Sequence, residues 1–289
     1  MTRSKHLWQF IILAGAAVAA LVAAASARAE TIAPSDYTLY LSAPGAGTVA
    51  GVAYGDEDVL RYSPTANPQW AMHFDGSVAG LPAAADIDAY AYLYNAATFT
   101  AWHYMSFDRP VAVPGLGTVD DSDVALYRTG LLGNTWSLFF DGSAYGLTTD
   151  GEDIDALEIN SSDSMLLSTS AGFNVPTAGN AYFKGGDEDV LLWESAANRF
   201  TYFLDGASLA VAADNDLFNL AISNNGDALV SYILFGVQKA ANVSGISAGA
   251  FDVLFEQSSL GTEEYGMLLD ASASGFPKID AMDAHLIFD

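Results

Sequence analysis

Asp121-Ser-Asp-Val-Ala-Leu-Tyr127, followed by Trp136-Ser-Leu-Phe-Phe-Asp-Gly142 and Asp153-Ile-Asp-Ala156, decides the fold, because the chain repeats it. The first segment recurs as Gly55-Asp-Glu-Asp-Val-Leu-Arg-Tyr62, Gly186-Asp-Glu-Asp-Val-Leu-Leu-Trp193 and Ala250-Phe-Asp-Val-Leu-Phe255. Its valines, Val59, Val124, Val190 and Val253, stand 65, 66 and 63 residues apart. The aromatic run recurs as Trp70–Gly76, Phe200–Gly206 and Tyr265–Ala271. The third element recurs as Asp86-Ile-Asp-Ala89, Asp216-Leu-Phe-Asn219 and Met282-Asp-Ala284. A fourth run, Phe99–Tyr104, Met165–Ser168 and Ala228–Ser231, follows in three of the units. A period of this length marks a repeat architecture.

Each element is short, rich in aromatic or β-branched residues, partly alternating, and bounded by Gly, Asp, Asn or Pro, which is the signature of strands. No segment beyond residue 29 sustains a helical period, so the class is all-β. The ends suggest the topology. The last unit stops after its third element, Asp283–Phe288, and the chain begins with the missing fourth one, Tyr37–Ser42. A ring whose last strand completes a blade begun by the first produces this offset and protects sheet edges that would otherwise stay open. The expectation is a four-bladed β-propeller of four strands per blade, closed by the two chain ends; an open array or sandwich of the same repeats is the alternative. The link Val111–Val119, with Pro114 and Gly115, is expected to form a blade-edge loop.

Residues 1–29 have the order of a secretory leader: Arg3 and Lys5, an apolar stretch from Leu7 to Ala25, then Ala27-Arg28-Ala29. Cleavage after Ala29 leaves 30–289 as a single exported domain, periplasmic or extracellular; an uncleaved anchor is the alternative. No Cys follows the apolar stretch, which rules out a lipoprotein anchor, and no later segment is apolar enough to insert in a membrane. The chain has no cysteine at all, so stability rests on packing, closure or metal.

Beyond residue 29, seven basic residues face 35 acidic ones, a net charge of −28. Such a surface repels nucleic acid and anionic polymers and attracts cations. Halophilic adaptation would also give many acids, but scattered. Here 24 of the 35 are placed by the repeat: before the Val strand, after the aromatic strand, and around the third element. Clustered carboxylates call for a hard cation with oxygen ligands, and Ca²⁺ is the natural candidate. The proposed ligands are Asp56, Asp58, Asp121, Asp123, Asp187, Asp189, Asp88, Asp155 and Asp283. The alternative is turn capping, preferred for Asp75, Asp141 and Asp205, each of which precedes Gly.

The pattern Asp-Glu-Asp-Val, Phe-Asp-Gly-Ser, Gly-Leu and Asp-Ile-Asp-Ala, clearest over Asp123–Ala156 and Gly55–Ala89, resembles an uncharacterised repeat of exported bacterial proteins with no established activity. More distantly, an acid–Ala dipeptide opening a strand in each unit is similar to hemopexin-like four-bladed propellers. That resemblance implies a central channel holding cations, lined by the backbone of Ala89, Ala156, Asn219 and Ala284. Hemopexin's signature aromatics and disulfide are absent, so only the fold is implied.

No catalytic residue is assigned. His73, His103 and His285 lack a partner at metal-ligand spacing, and no nucleophile elbow, phosphate loop or dinucleotide fingerprint occurs. Trp70, Trp136 and Trp193 are repeat-phased, as core residues between blades would be, whereas Trp102 is not. The expected function is a non-catalytic, calcium-stabilised binding module with a protein or glycan partner. The alternative is a secreted hydrolase or lyase acting from one propeller face, for which a cluster confined to one blade, or Arg109, Lys184 and Arg199 gathered in one cleft, would speak.

Overall fold

The computed structural model describes residues 37–176, 182–224, 230–259, 262–276 and 278–286. The leader at 1–29 lies outside the described residues, as do Ala228 and Leu229 of the fourth run and Phe288. Among the described residues no helix is long and apolar enough to cross a membrane.

Sixteen strands build four antiparallel sheets. In chain order they are β1 (Tyr37–Leu41), β2 (Val59–Tyr62), β3 (Trp70–Phe74), β4 (Ile87–Asn95), β5 (Thr100–Phe107), β6 (Val124–Thr129), β7 (Thr135–Phe140) and β8 (Ile154–Ser161). They continue as β9 (Ser164–Thr169), β10 (Val190–Glu194), β11 (Arg199–Leu204), β12 (Leu220–Asn224), β13 (Val230–Gly236), β14 (Val253–Ser259), β15 (Thr262–Leu269) and β16 (Met282–Leu286). Blades 2, 3 and 4 run β4–β7, β8–β11 and β12–β15 from the axis outward. Blade 1 is β16-β1-β2-β3. The protein is a four-bladed β-propeller closed by its own ends, with Tyr37 opposite Leu286 and Leu41 opposite Met282.

Hydrophobic cores fill the spaces between successive blades. Trp70, Tyr232 and Phe276 pack between blades 4 and 1, and Phe74, Tyr90 and Phe107 between 1 and 2. Phe140, Trp193 and Phe200 pack between 2 and 3, and Leu220, Phe235 and Leu254 between 3 and 4. The tryptophans therefore sit among core residues: Trp70 and Trp193 are buried, and Trp102 and Trp136 partly so.

Two details differ from the sequence expectation. The link Val111–Val119 is a small β-hairpin, with Val111 opposite Val119, and each blade carries one between its second and third strands. The unit that opens blade 1 is aligned three residues too late by Met282-Asp-Ala284. Met282 pairs with Leu41 as Tyr90 pairs with Met105 and Leu157 with Leu167. The counterpart of Ile87-Asp88-Ala89 is thus Ile279-Asp280-Ala281, with Ile279 and Ala281 fully buried. Two acid–Ala dipeptides lie three residues apart there, and only the strand register separates them.

Candidate functional site

The acids before each Val strand divide their work between side chain and backbone. Asp58 accepts the backbone N–H groups of Gly55 and Gly76 at 2.8 and 2.9 Å, spanning from its own turn to the loop after the outermost strand. Asp123 holds Asp120 and Gly142 in the same way, Asp189 holds Gly186 and Gly206, and Asp252 holds Gly249 and Ala271. Both oxygens of each carboxylate are occupied by the fold. The backbone carbonyls of Asp56, Asp121 and Asp187 receive the N–H of Ile87, Ile154 and Leu217, so each pins the next blade's entry to its inner strand. Ser42, Ser106 and Ser168 then donate to the carbonyls of Asp58, Asp123 and Asp189.

Asp75, Asp141, Asp205 and Asp270 are N-caps of one-turn helices, accepting from the backbone of Val78, Ala144, Ala207 and Ala273. The capping reading holds for all of them.

At the upper end of the axis, where inner strands begin, the acids pair between blades. Asp86 faces Asp280, Asp88 faces Asp153, and Asp155 faces Asp216. No donor reaches Oδ1 of Asp86, Asp88, Asp153 or Asp216, or either oxygen of Asp155. Burial lifts Asp86 to about 8, with Asp280 adding to the rise. Burial likewise lifts Asp153 and Asp216 to about 7. Asp88 and Asp155, both buried, are pushed well above the carboxylate range by burial and then by Asp153 and Asp216 respectively. Two carboxyl groups in such contact share a proton or hold a cation.

The fourth junction breaks the pattern. The positions that would carry the pair hold Phe218 and Lys278. Lys278 Nζ stands 5.2 Å from the centre of the Phe251 ring and 3.2 Å from Asp280, while Phe218 packs edge-on against Phe251. Asn219, where other blades have Ala, is buried without a hydrogen-bond partner for its amide. Gly236 occupies the serine position, because a side chain there would collide with Phe218.

Asp283 lies deeper, at the lower end of the axis, where its layer reads Ala91, Glu158, Ala221 and Asp283 from blades 2, 3, 4 and 1. The two acids therefore come from opposite blades. Asp283 accepts from Tyr92 N–H at 2.8 Å and Glu158 from Ile222 N–H at 3.2 Å, each reaching into the next blade. A cavity of about 240 Å³ opens on them, with His285 on its wall.

All three described histidines gather between blades 1 and 2. His73 and His103 ring centres are 5.5 Å apart, and Tyr92 stacks on His285 at 5.7 Å. His103 is hydrogen-bonded to Tyr90 at 2.7 Å. Burial lowers His103 to about 4 and, together with the neighbouring His103, lowers His73 to about 3, so both are neutral packing residues. Arg109 pairs with Asp108, Lys184 lies on the blade 3 hairpin, and Arg199 begins β11 opposite Glu194.

Of the residues selected from sequence, Asp88 and Asp155 meet carboxyl partners on the axis, and Asp58, Asp123 and Asp189 lie at the strand starts. Sequence reading missed the pairing itself and passed over Glu158, which follows no repeat. Among the described residues no group of three or more His, Cys, Asp or Glu is gathered as a metal cluster.

No protein-family model and no curated protein matches the chain. A matching solved structure is the extracellular domain of a protein described as a putative hybrid two-component system from B. thetaiotaomicron. It shares 11% identity and a TM-score of 0.32 over 79% of this chain. The chain spans about a third, 33%, of that structure's length.

Proposed function

We propose that this protein is an exported, non-catalytic binding module whose propeller is stabilised by calcium at the upper end of its channel. The observation that carries the reading is the set of three carboxyl pairs, Asp86–Asp280, Asp88–Asp153 and Asp155–Asp216, in which Asp86, Asp88, Asp155 and Asp216 are buried and each pair keeps at least one oxygen that no protein donor reaches. A cation between blades compensates charge that burial otherwise makes costly. Each pair offers two carboxyl groups, so calcium completes its six to eight oxygens with backbone carbonyls and water. The leader-like residues 1–29 support export, and the charge of −28 favours cationic over nucleic-acid partners.

The test is thermal unfolding of the purified protein in excess chelator, then with millimolar calcium. At a hundredfold excess over Kd, binding to the folded state adds about 2.7 kcal/mol. The expected result is a rise of many degrees that sodium chloride of equal ionic strength does not reproduce. An unchanged melting temperature rejects calcium and leaves shared protons to hold the junctions.

A secreted hydrolase or lyase is the second reading. It is favoured by an acid set that ignores the repeat, Glu158 and Asp283 beside His285. Release of new reducing ends from a polysaccharide panel, lost in Glu158→Gln, would establish it.

A further inference from the structure

The lower mouth of the channel departs from the fourfold plan in a way that suits a ligand. Its four-residue layer alternates alanine and acid, so Glu158 and Asp283 approach from opposite sides. Glu158 gives one oxygen to the Ile222 N–H of the neighbouring blade, and Asp283 gives one to the Tyr92 N–H and the other to the Ala284 N–H. This fixes both groups and leaves the second Glu158 oxygen and the remaining carboxylate lone pairs for something else. Glu158 sits deep in the molecule yet keeps some accessible surface, and it lines the cavity.

The surroundings decide what that something is. Beside these acids the lining side chains include the apolar Leu93, Ile159, Ile222 and Leu286, with Tyr92 and His285 also on the wall. No lysine or arginine lines it. His285 Nε2 stands 3.8 Å from Asp283 and 3.1 Å from the Tyr92 carbonyl, so it offsets at most one of the two charges. Burial raises both carboxyls, with Asp283 adding to the rise at Glu158, while His285 and the N–H groups of Tyr92 and Ala284 hold Asp283 down. A hard divalent ion needs six or more oxygens. This wall offers few side-chain oxygens beyond the two carboxylates. An ammonium or guanidinium group on a hydrocarbon body meets both demands: N–H donors for two opposed carboxylates, and carbon against leucine, isoleucine and aromatic faces.

We propose that this mouth binds an organic cation, a primary ammonium or guanidinium group on a short apolar body, clamped between Glu158 and Asp283. The proposal rests on the binding-module reading and names its ligand class. The ligand is either a free amine or a basic side chain presented by a partner protein.

The experiment is isothermal titration of the purified protein with n-butylammonium chloride and, separately, with N-acetyl-lysine-N-methylamide, each against sodium chloride of equal ionic strength. Saturable one-to-one binding is expected. Tighter binding of the lysine derivative assigns a partner's side chain, and tighter binding of butylammonium assigns a free amine. Glu158→Gln, which keeps an acceptor for Ile222 N–H, is expected to weaken binding at least tenfold while leaving any calcium-induced rise in melting temperature intact. Should that variant fail to fold, NMR of the wild-type protein labelled at histidine reads the same site: His285 resonances shift on titration and those of buried His103 do not. No saturable heat with either cation, affinity unchanged in a folded Glu158→Gln, or an unmoved His285 each overturns the proposal. The calcium melts report separately on the binding-module reading.

Discussion

Aspartate does three distinct jobs in this protein, and single substitutions separate them. Asp123 holds two backbone N–H groups, that of Gly142 buried and that of Asp120 partly so, and Asp123→Ala, which strands both, is expected to cost about 3 kcal/mol in denaturant unfolding. Asp141 caps one exposed helical turn, and Asp141→Ala is expected to cost about 1 kcal/mol in the same measurement. The axial aspartates behave oppositely with pH. Their folded-state pKa values, about 8 for Asp86 and about 7 for Asp153 and Asp216, lie above the unfolded value near 4. The folded state then binds more protons than the unfolded state between those limits, so stability falls as pH rises. In chelator, the melting temperature is expected to decline from pH 5 to pH 8. Calcium binds ionised carboxylates, so its added stabilisation is expected to grow across the same range. A flat profile in chelator would mean that the pairs are not protonated in the fold.

At the scale of elements, the glycine after each capping aspartate shows how closely the loops approach. A methyl group on Gly142 would collide with the Ser122 carbonyl, and one on Gly76 or Gly206 with the carbonyls of Glu57 or Glu188. Gly142→Ala is expected to destabilise by about 1–3 kcal/mol through overpacking. Blade 4 carries Ala271 at this position, fully buried, so its loop already has the room, and Ala271→Gly is expected to change the unfolding midpoint much less. Strand segments were legible in the sequence because their signals are local: a Val run after acids, an aromatic run before Asp-Gly. The start of β16 was misaligned because Met282-Asp-Ala284 imitates Ile279-Asp-Ala281, and only pairing with β1 tells them apart. Carboxyl pairs such as Asp88–Asp153 were hidden for another reason: the partners belong to different repeats, and their contact depends on how neighbouring blades are rotated about the axis.

The whole molecule combines a fourfold plan with two departures from it. One is the junction between blades 4 and 1, where Phe218, Lys278 and Phe251 replace a carboxyl pair. The other is the alternation of alanine and acid at the lower mouth. Restoring the plan with Phe218→Asp would bury a further carboxyl next to Lys278, Asp280 and the Phe251 ring, and is expected to lower the melting temperature in chelator. The seam of the ring has a mechanical consequence. Tyr37 and Leu286 lie opposite each other at the same end of the β1–β16 pair. A force drawing these two ends apart loads the ladder from one end, breaking its hydrogen bonds in succession instead of shearing them together. Pulled by its termini, the propeller is expected to unzip at the seam at low force, whereas handles placed within blade 3 would meet greater resistance.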